Sequence, residues 1–148
     1  MNPTNKIAIP WKPAATGFLA ASALFLARDL LAVDPAPKPA AKIAFSEKLP
    51  NVPGKTLTGI HVSYPPGGKS ASHAHAGSVY AYVLSGKVRS ENSVTGPVRV
   101  YSAGEGFFEP VGSVHTISEN ASETEPATLL AIFVAEDGAE LSRPVPQK

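Results

Sequence analysis

Apolar and polar positions along this chain alternate with a period of two over short stretches, the pattern of strands that bury one face. In residues 57–64, Ile60, Val62 and Tyr64 share one face and His61 takes the other. Residues 79–84 set Val79, Ala81 and Val83 against Tyr80, Tyr82 and Leu84. Both faces there are apolar or aromatic, which predicts a strand sandwiched between layers rather than facing solvent. Further short strands are predicted at residues 43–48, 87–90, 98–102, 106–109, 114–118 and 128–135. Pro65-Pro66-Gly67-Gly68 and Ser85-Gly86 punctuate them, and a loop is predicted over residues 91–97. No segment beyond residue 33 carries a long helical period. Regularly spaced short strands broken by Gly and Pro predict an all-β sandwich or barrel, and 148 residues are enough for one such domain.

The first residues have another character. Lys6 and Lys12 precede an apolar and small-residue run over residues 14–27, followed by Arg28, Asp29 and Leu30-Leu31-Ala32-Val33. This is the pattern of a secretory signal. The run falls short of the roughly twenty residues of a membrane span, and an uncleaved anchor would have to hold Arg28 and Asp29 in hydrocarbon. The predicted organisation is a signal over residues 1–32 with cleavage near Ala32, a Pro/Ala linker over residues 33–42, and a folded domain over residues 43–148. The expected destination is periplasmic or secreted.

Composition sharpens this picture in two ways. The chain has no cysteine, which excludes disulfides, thiolate ligands and a lipid-modified cysteine at the end of the signal. Removing residues 1–32 takes away Lys6, Lys12 and Arg28 against Asp29, which brings the formal charge from +1 to −1. Without a basic stripe there is no electrostatic footprint for nucleic acid or, once the signal is gone, for a membrane surface.

Candidate chemistry concentrates in the histidines. His73 and His75 are separated by one residue, so on an extended strand both imidazoles point the same way, as a two-pronged chelate. His115 lies about forty residues further on and joins them only if the fold brings two strands together. The bland alternatives are a polar loop for the pair and a core histidine for His115. His61 has no motif support and reads as an ordinary strand histidine. The only aspartates beyond the signal are Asp34 and Asp137, so a serine-histidine-aspartate triad is poorly supplied. There is no glycine-rich phosphate loop and no HExxH run. Asn120-Ala121-Ser122 fits a glycosylation acceptor.

Gly67, His73, His75 and Gly86, followed by Gly104, Pro110, Gly112 and His115, resemble the two motifs of the cupin superfamily. The resemblance implies a jelly-roll barrel, the double-stranded β-helix, with a divalent transition metal (Fe, Mn, Ni, Cu or Zn) held inside by His73, His75 and His115. It also implies a homodimer and a small-molecule ligand or substrate. The first motif's usual glutamate falls on Val79, and the second motif's usual asparagine on Glu119, with Asn120 one residue later. Loss of a carboxylate ligand frees a coordination position, which a catalytic metal requires. Some cupin dioxygenases are similar in using three histidines without the glutamate. The expected function is therefore a metal-binding cupin, a dioxygenase-like oxidoreductase acting on a small organic molecule; a non-enzymatic module and a metal-free structural barrel are the alternatives. Glu109 either reaches the cavity, as a supporting acid or replacement ligand, or faces solvent. Tyr64, Tyr80, Tyr82, Phe107 and Phe108 read as wall and interface, and Val79, Ala81 and Val83 as an apolar lining suited to a hydrophobic ligand.

Overall fold

The computed structural model describes residues 35–145, so the expected signal over residues 1–32 lies outside the described residues. Ten strands and no helix are found among the described residues: β1 Ala40–Lys48, β2 Lys55–Tyr64, β3 His73–His75, β4 Ser78–Ser85, β5 Lys87–Asn92, β6 Gly96–Ser102, β7 Gly106–Glu109, β8 Val114–Asn120, β9 Ala127–Glu136 and β10 Ser142–Pro144. They form two five-stranded antiparallel sheets, in the orders β1-β2-β9-β4-β7 and β10-β3-β8-β5-β6. This is the all-β jelly roll that the alternation and the paired motifs predict.

The inward residues of both sheets make one core, built on Val79, Val83, Val88, Leu129 and Phe133. Many other inward positions carry only a small side chain, among them Ala81, Ala131, Ser72, Ser90 and Ser118, all buried. Small residues cannot fill the gap between two sheets about 10 Å apart. A cavity of about 400 Å³ remains, and both motif segments open into it.

Four expectations need correction. The linker over residues 33–42 ends early, because β1 begins at Ala40 and pairs with β2 from Ala40↔Ser63 to Lys48↔Thr56. The last linker proline is Pro39; beyond it every residue regains the N–H that a ladder needs. The loop over residues 91–97 shrinks to three residues, since β5 runs to Asn92 and β6 starts at Gly96. Asn92 is held inside by its own side-chain bonds, and its Oδ1 accepts from Val94 N at 3.0 Å to start the turn. Strand β4 is not sandwiched: Tyr80, Tyr82 and Leu84 are 46%, 40% and 45% exposed. Their alternation is real, but no layer formed by the described residues covers that face. Finally, Asn120 is not a free glycan acceptor. It is buried, with Nδ2 donating to Pro65 O at 3.0 Å and Glu125 O at 2.7 Å.

Gly86 makes the tight turn from β4 to β5 with φ of 68°, and a Cβ there would lie 2.5 Å from Pro126 O. Backbone strain of about 1–3 kcal/mol adds to that clash. Gly86→Ala is therefore expected to destabilise the domain by at least about 2 kcal/mol in urea unfolding; an unchanged midpoint would show that the turn does not hold the two sheets together.

Candidate metal centre

Register brings the three histidines together. Strand β3 pairs with β8 so that His73 stands directly opposite His115, and on its other edge β10 pairs Ser142 with His75. The ring nitrogens that the three residues offer all lie within 4.8 Å of one another. Ring centroids are 4.8 Å apart for His73 and His75 and 5.1 Å for His73 and His115. The three side chains are thus brought together, with His75 and His115 buried and His73 partly exposed at the mouth.

Each ring has one nitrogen occupied from outside. His73 Nδ1 donates to Ala71 O at 2.7 Å and His75 Nδ1 to Leu141 O at 3.0 Å. His115 Nε2 lies 2.8 Å from Ser90 Oγ. With these nitrogens protonated, His73 Nε2, His75 Nε2 and His115 Nδ1 keep their lone pairs for a metal. Burial also favours the neutral, ligating form. It pulls the His75 pKa down and, reinforced by the neighbouring His73 and His75, takes that of His115 to about 3.

Glu109 enters the same space. It pairs across the ladder with Val79, the position where the first motif usually carries its glutamate. Only 2% of its surface is exposed. Its Oε2 lies 3.2 Å from His115 Nδ1 and 3.7 Å from His75 Nε2, and accepts from Asn92 Nδ2 at 3.3 Å. Asn92 Nδ2 also reaches Ser113 Oγ at 2.8 Å, and that hydroxyl donates to Pro110 O at 2.7 Å. Burial pushes the Glu109 pKa up to about 7, against the lowering effect of the Asn92 bond. With burial favouring neutral His75 and His115 and pushing the carboxyl toward its protonated form, these two close approaches are not ion pairs.

The donor set fits a divalent first-row ion. Three neutral imidazoles suit Zn, Fe, Cu or Ni, and the nearby carboxylate adds a hard oxygen and a negative charge that such an ion would balance. Among the described residues no lysine or arginine lines the cavity to do this instead.

Sequence reasoning located the three histidines and raised Glu109, but it missed Ser90, Asn92 and Ser113. Those residues carry no spacing signal, because their role depends on cross-strand register. His61 stands on the outer side of β2, its Nδ1 3.4 Å from Ser63 Oγ, and does not line the cavity. Of the aromatic residues read as wall and interface, Tyr64 and Phe107 are buried against the cavity, whereas Tyr80, Tyr82 and Phe108 face outward.

The family model described as "Cupin domain" matches residues 60–133, half of the chain. Among solved structures, an uncharacterized conserved protein with a double-stranded beta-helix domain from Klebsiella pneumoniae aligns at 22% identity, covering 74% of this chain and 86% of that one, with a TM-score of 0.54. The DMSP lyase DddQ from Ruegeria pomeroyi aligns at 19% identity over 73% of this chain and 52% of its own, with a TM-score of 0.59. Bacillus subtilis oxalate decarboxylase, described with Mn(II) centres, aligns at 26% identity over 60% of this chain and 24% of its own, with a TM-score of 0.51. No curated protein matches the chain.

Proposed function

This chain belongs to the cupin family, and from that premise we propose that it is a metal-dependent oxidoreductase of the dioxygenase type, acting on a small, largely apolar organic molecule. The observation that carries the reading is the convergence of His73, His75 and His115 with Glu109 at one end of an apolar cavity. Structural neighbours named as a lyase and as a decarboxylase with Mn(II) centres support metal chemistry on small molecules as a use of this fold.

In this reading His73, His75 and His115 hold the ion, and a bound ion would supply Lewis acidity and a place where oxygen and substrate meet. The chain's own residues do the rest. Ala71 O, Leu141 O and Ser90 Oγ fix the three rings. Val79 fills the first-motif glutamate position with a side chain that cannot coordinate, and Glu109, held by Asn92, sets a carboxyl beside His115 that either supports the ion or handles a substrate proton. Ile60, Val62, Leu129 and Phe133 form a dry wall that selects apolar surface.

Oxygen uptake by the protein reconstituted with Fe²⁺ and offered a panel of small neutral aromatic and aliphatic alcohols and ketones tests the reading. Uptake matched to product formation, and lost in His73→Ala, is the expected result. Tight inert Zn²⁺ with no turnover of any compound would instead favour a binding module. We also propose export through the signal over residues 1–32, checked by N-terminal sequencing of the mature protein. Pairing with a second copy through the exposed band of Tyr80, Tyr82, Leu84 and Phe108 is proposed as well, checked by light scattering.

A further inference from the structure

Away from the histidines the cavity carries a cluster of hydroxyls that the metal centre does not use. Tyr64 is buried, and its hydroxyl lies 2.7 Å from Ser118 Oγ. The hydroxyl of Ser70 lies near enough to act on this phenol, favouring its ionised form against the larger effect of burial. Tyr64, Ser70 and Ser118 all line the cavity.

Their placement follows from an irregularity in β8. Glu91 pairs with Ile117 and Asn92 with His115, so Thr116 is an extra residue in the ladder. Its hydroxyl donates to Glu91 O at 3.1 Å and anchors the bulge. A regular strand would turn His115 and Ser118 to opposite faces. The bulge reverses the parity between them and turns both inward, at a spacing of less than about 10 Å along the strand. Ser118 stands opposite Ser90, whose Oγ meets His115 Nε2, so the cluster sits on the side of that ring away from Nδ1.

We propose that Tyr64, Ser118 and Ser70 form a second binding point, which takes a neutral hydroxyl or carbonyl group at the end of the ligand away from the histidines. Three hydroxyls carry three protons, and the bond between Tyr64 and Ser118 uses one. Two O–H groups remain to donate, and oxygen lone pairs remain to accept, so either a carbonyl or a hydroxyl can be met. Burial raises the Tyr64 pKa, which keeps the phenol neutral and the cluster uncharged. Among the described residues no lysine or arginine lines the cavity, so nothing at this end balances an anionic head group. The ligand class is thus a short molecule with a metal-binding donor at one end, an apolar middle and a neutral oxygen function at the other. This rests on the reading of the cavity as a small-molecule site, but the recognition itself requires no metal.

Fluorine NMR with 4-fluorophenol and the near-isosteric 4-fluorotoluene separates the two ideas. Without a hydrogen-bond partner an apolar cavity favours the methyl compound. Chelator-treated wild-type protein is expected to bind 4-fluorophenol at least about fivefold more tightly than 4-fluorotoluene. Tyr64→Phe/Ser118→Ala should bring the two to near parity, and Tyr64→Phe/Ser70→Ala/Ser118→Ala should reverse the order. Equal or tighter binding of 4-fluorotoluene by the wild type, or an unchanged preference in both variants, would overturn the proposal. Loading with Co²⁺ should then broaden the resonance of bound 4-fluorophenol, and a sharp line on protein that holds cobalt would place the probe elsewhere and also overturn it. Failure to hold cobalt, with the phenol preference intact, would sink the metal reading alone.

Discussion

His115→Ala is expected to lower the bound metal from near one ion per chain to a small fraction, with a loss of affinity of at least about 100-fold in competition with a chromogenic chelator. His115 is the one histidine that β8 would contribute to the ion; without it His73 and His75 remain as a pair on the three-residue strand β3. Two imidazoles from one short strand fall below the three protein ligands that catalytic sites of this kind use. The substitution also has a folding cost, because it empties space in the core and leaves Ser90 without its partner. That cost should be about 2 kcal/mol. Ser90→Ala separates the two effects. It removes only the group that orients Nε2, and is expected to weaken metal binding about 10-fold or more with a stability change within about 1 kcal/mol. Unchanged metal binding in His115→Ala would show that the ion, if bound, is held elsewhere.

Glu109→Gln should reshape the pH dependence of stability in chelator-treated protein. The folded-state pKa of Glu109 is raised from 4.5 to about 7. The folded state therefore holds this proton more tightly than the unfolded chain does. Its stability contribution is fully present below about pH 4.5, falls as pH rises, and is lost once pH passes about 7. The total is about 3 kcal/mol. His75 and His115 have lowered values and act in the opposite sense, costing stability as pH falls below the ordinary histidine range. Those groups are common to both proteins and largely cancel in the comparison. The variant should gain on the wild type between about pH 4.5 and 7 in urea titrations. Saturation with a divalent ion should shrink the gain, because the ion compensates the ionised carboxylate. Parallel pH profiles for the two chelator-treated proteins would contradict this account of Glu109.

Much of the fold was legible because alternation survives wherever a strand buries one face. Ile60, Val62 and Tyr64 do point inward against the cavity, as their spacing implies. Strand β4 shows the limit of that reasoning. Its two apolar faces read as sandwiched, yet Tyr80, Tyr82 and Leu84 stand exposed, because periodicity reports side-chain type and not what lies opposite. The short strand β10 was missed since Ser142–Pro144 has neither length nor alternation, and it exists through its pairing with β3.

At the site, the glycines and histidines of the two motifs were visible as spacing. Gly86 and Gly112 have positive φ, so local turn geometry demands them. Glu109 was ambiguous because its value depends on facing Val79 across a ladder, a relation that spans thirty residues of sequence. Ser118 was invisible for a stricter reason. The bulge at Thr116 reverses the parity that any period-two reading assumes.

The reading of this cavity turns on a divalent metal held by His73, His75 and His115. Elemental mass spectrometry of the protein, purified without chelator or a histidine tag, tests it most directly. About one transition-metal ion per chain, retained through gel filtration and lost in His73→Ala and His115→Ala, is the result the geometry predicts. No bound ion, even after reconstitution with Fe, Mn, Ni, Cu and Zn in turn, would contradict it and leave a barrel that works without a metal.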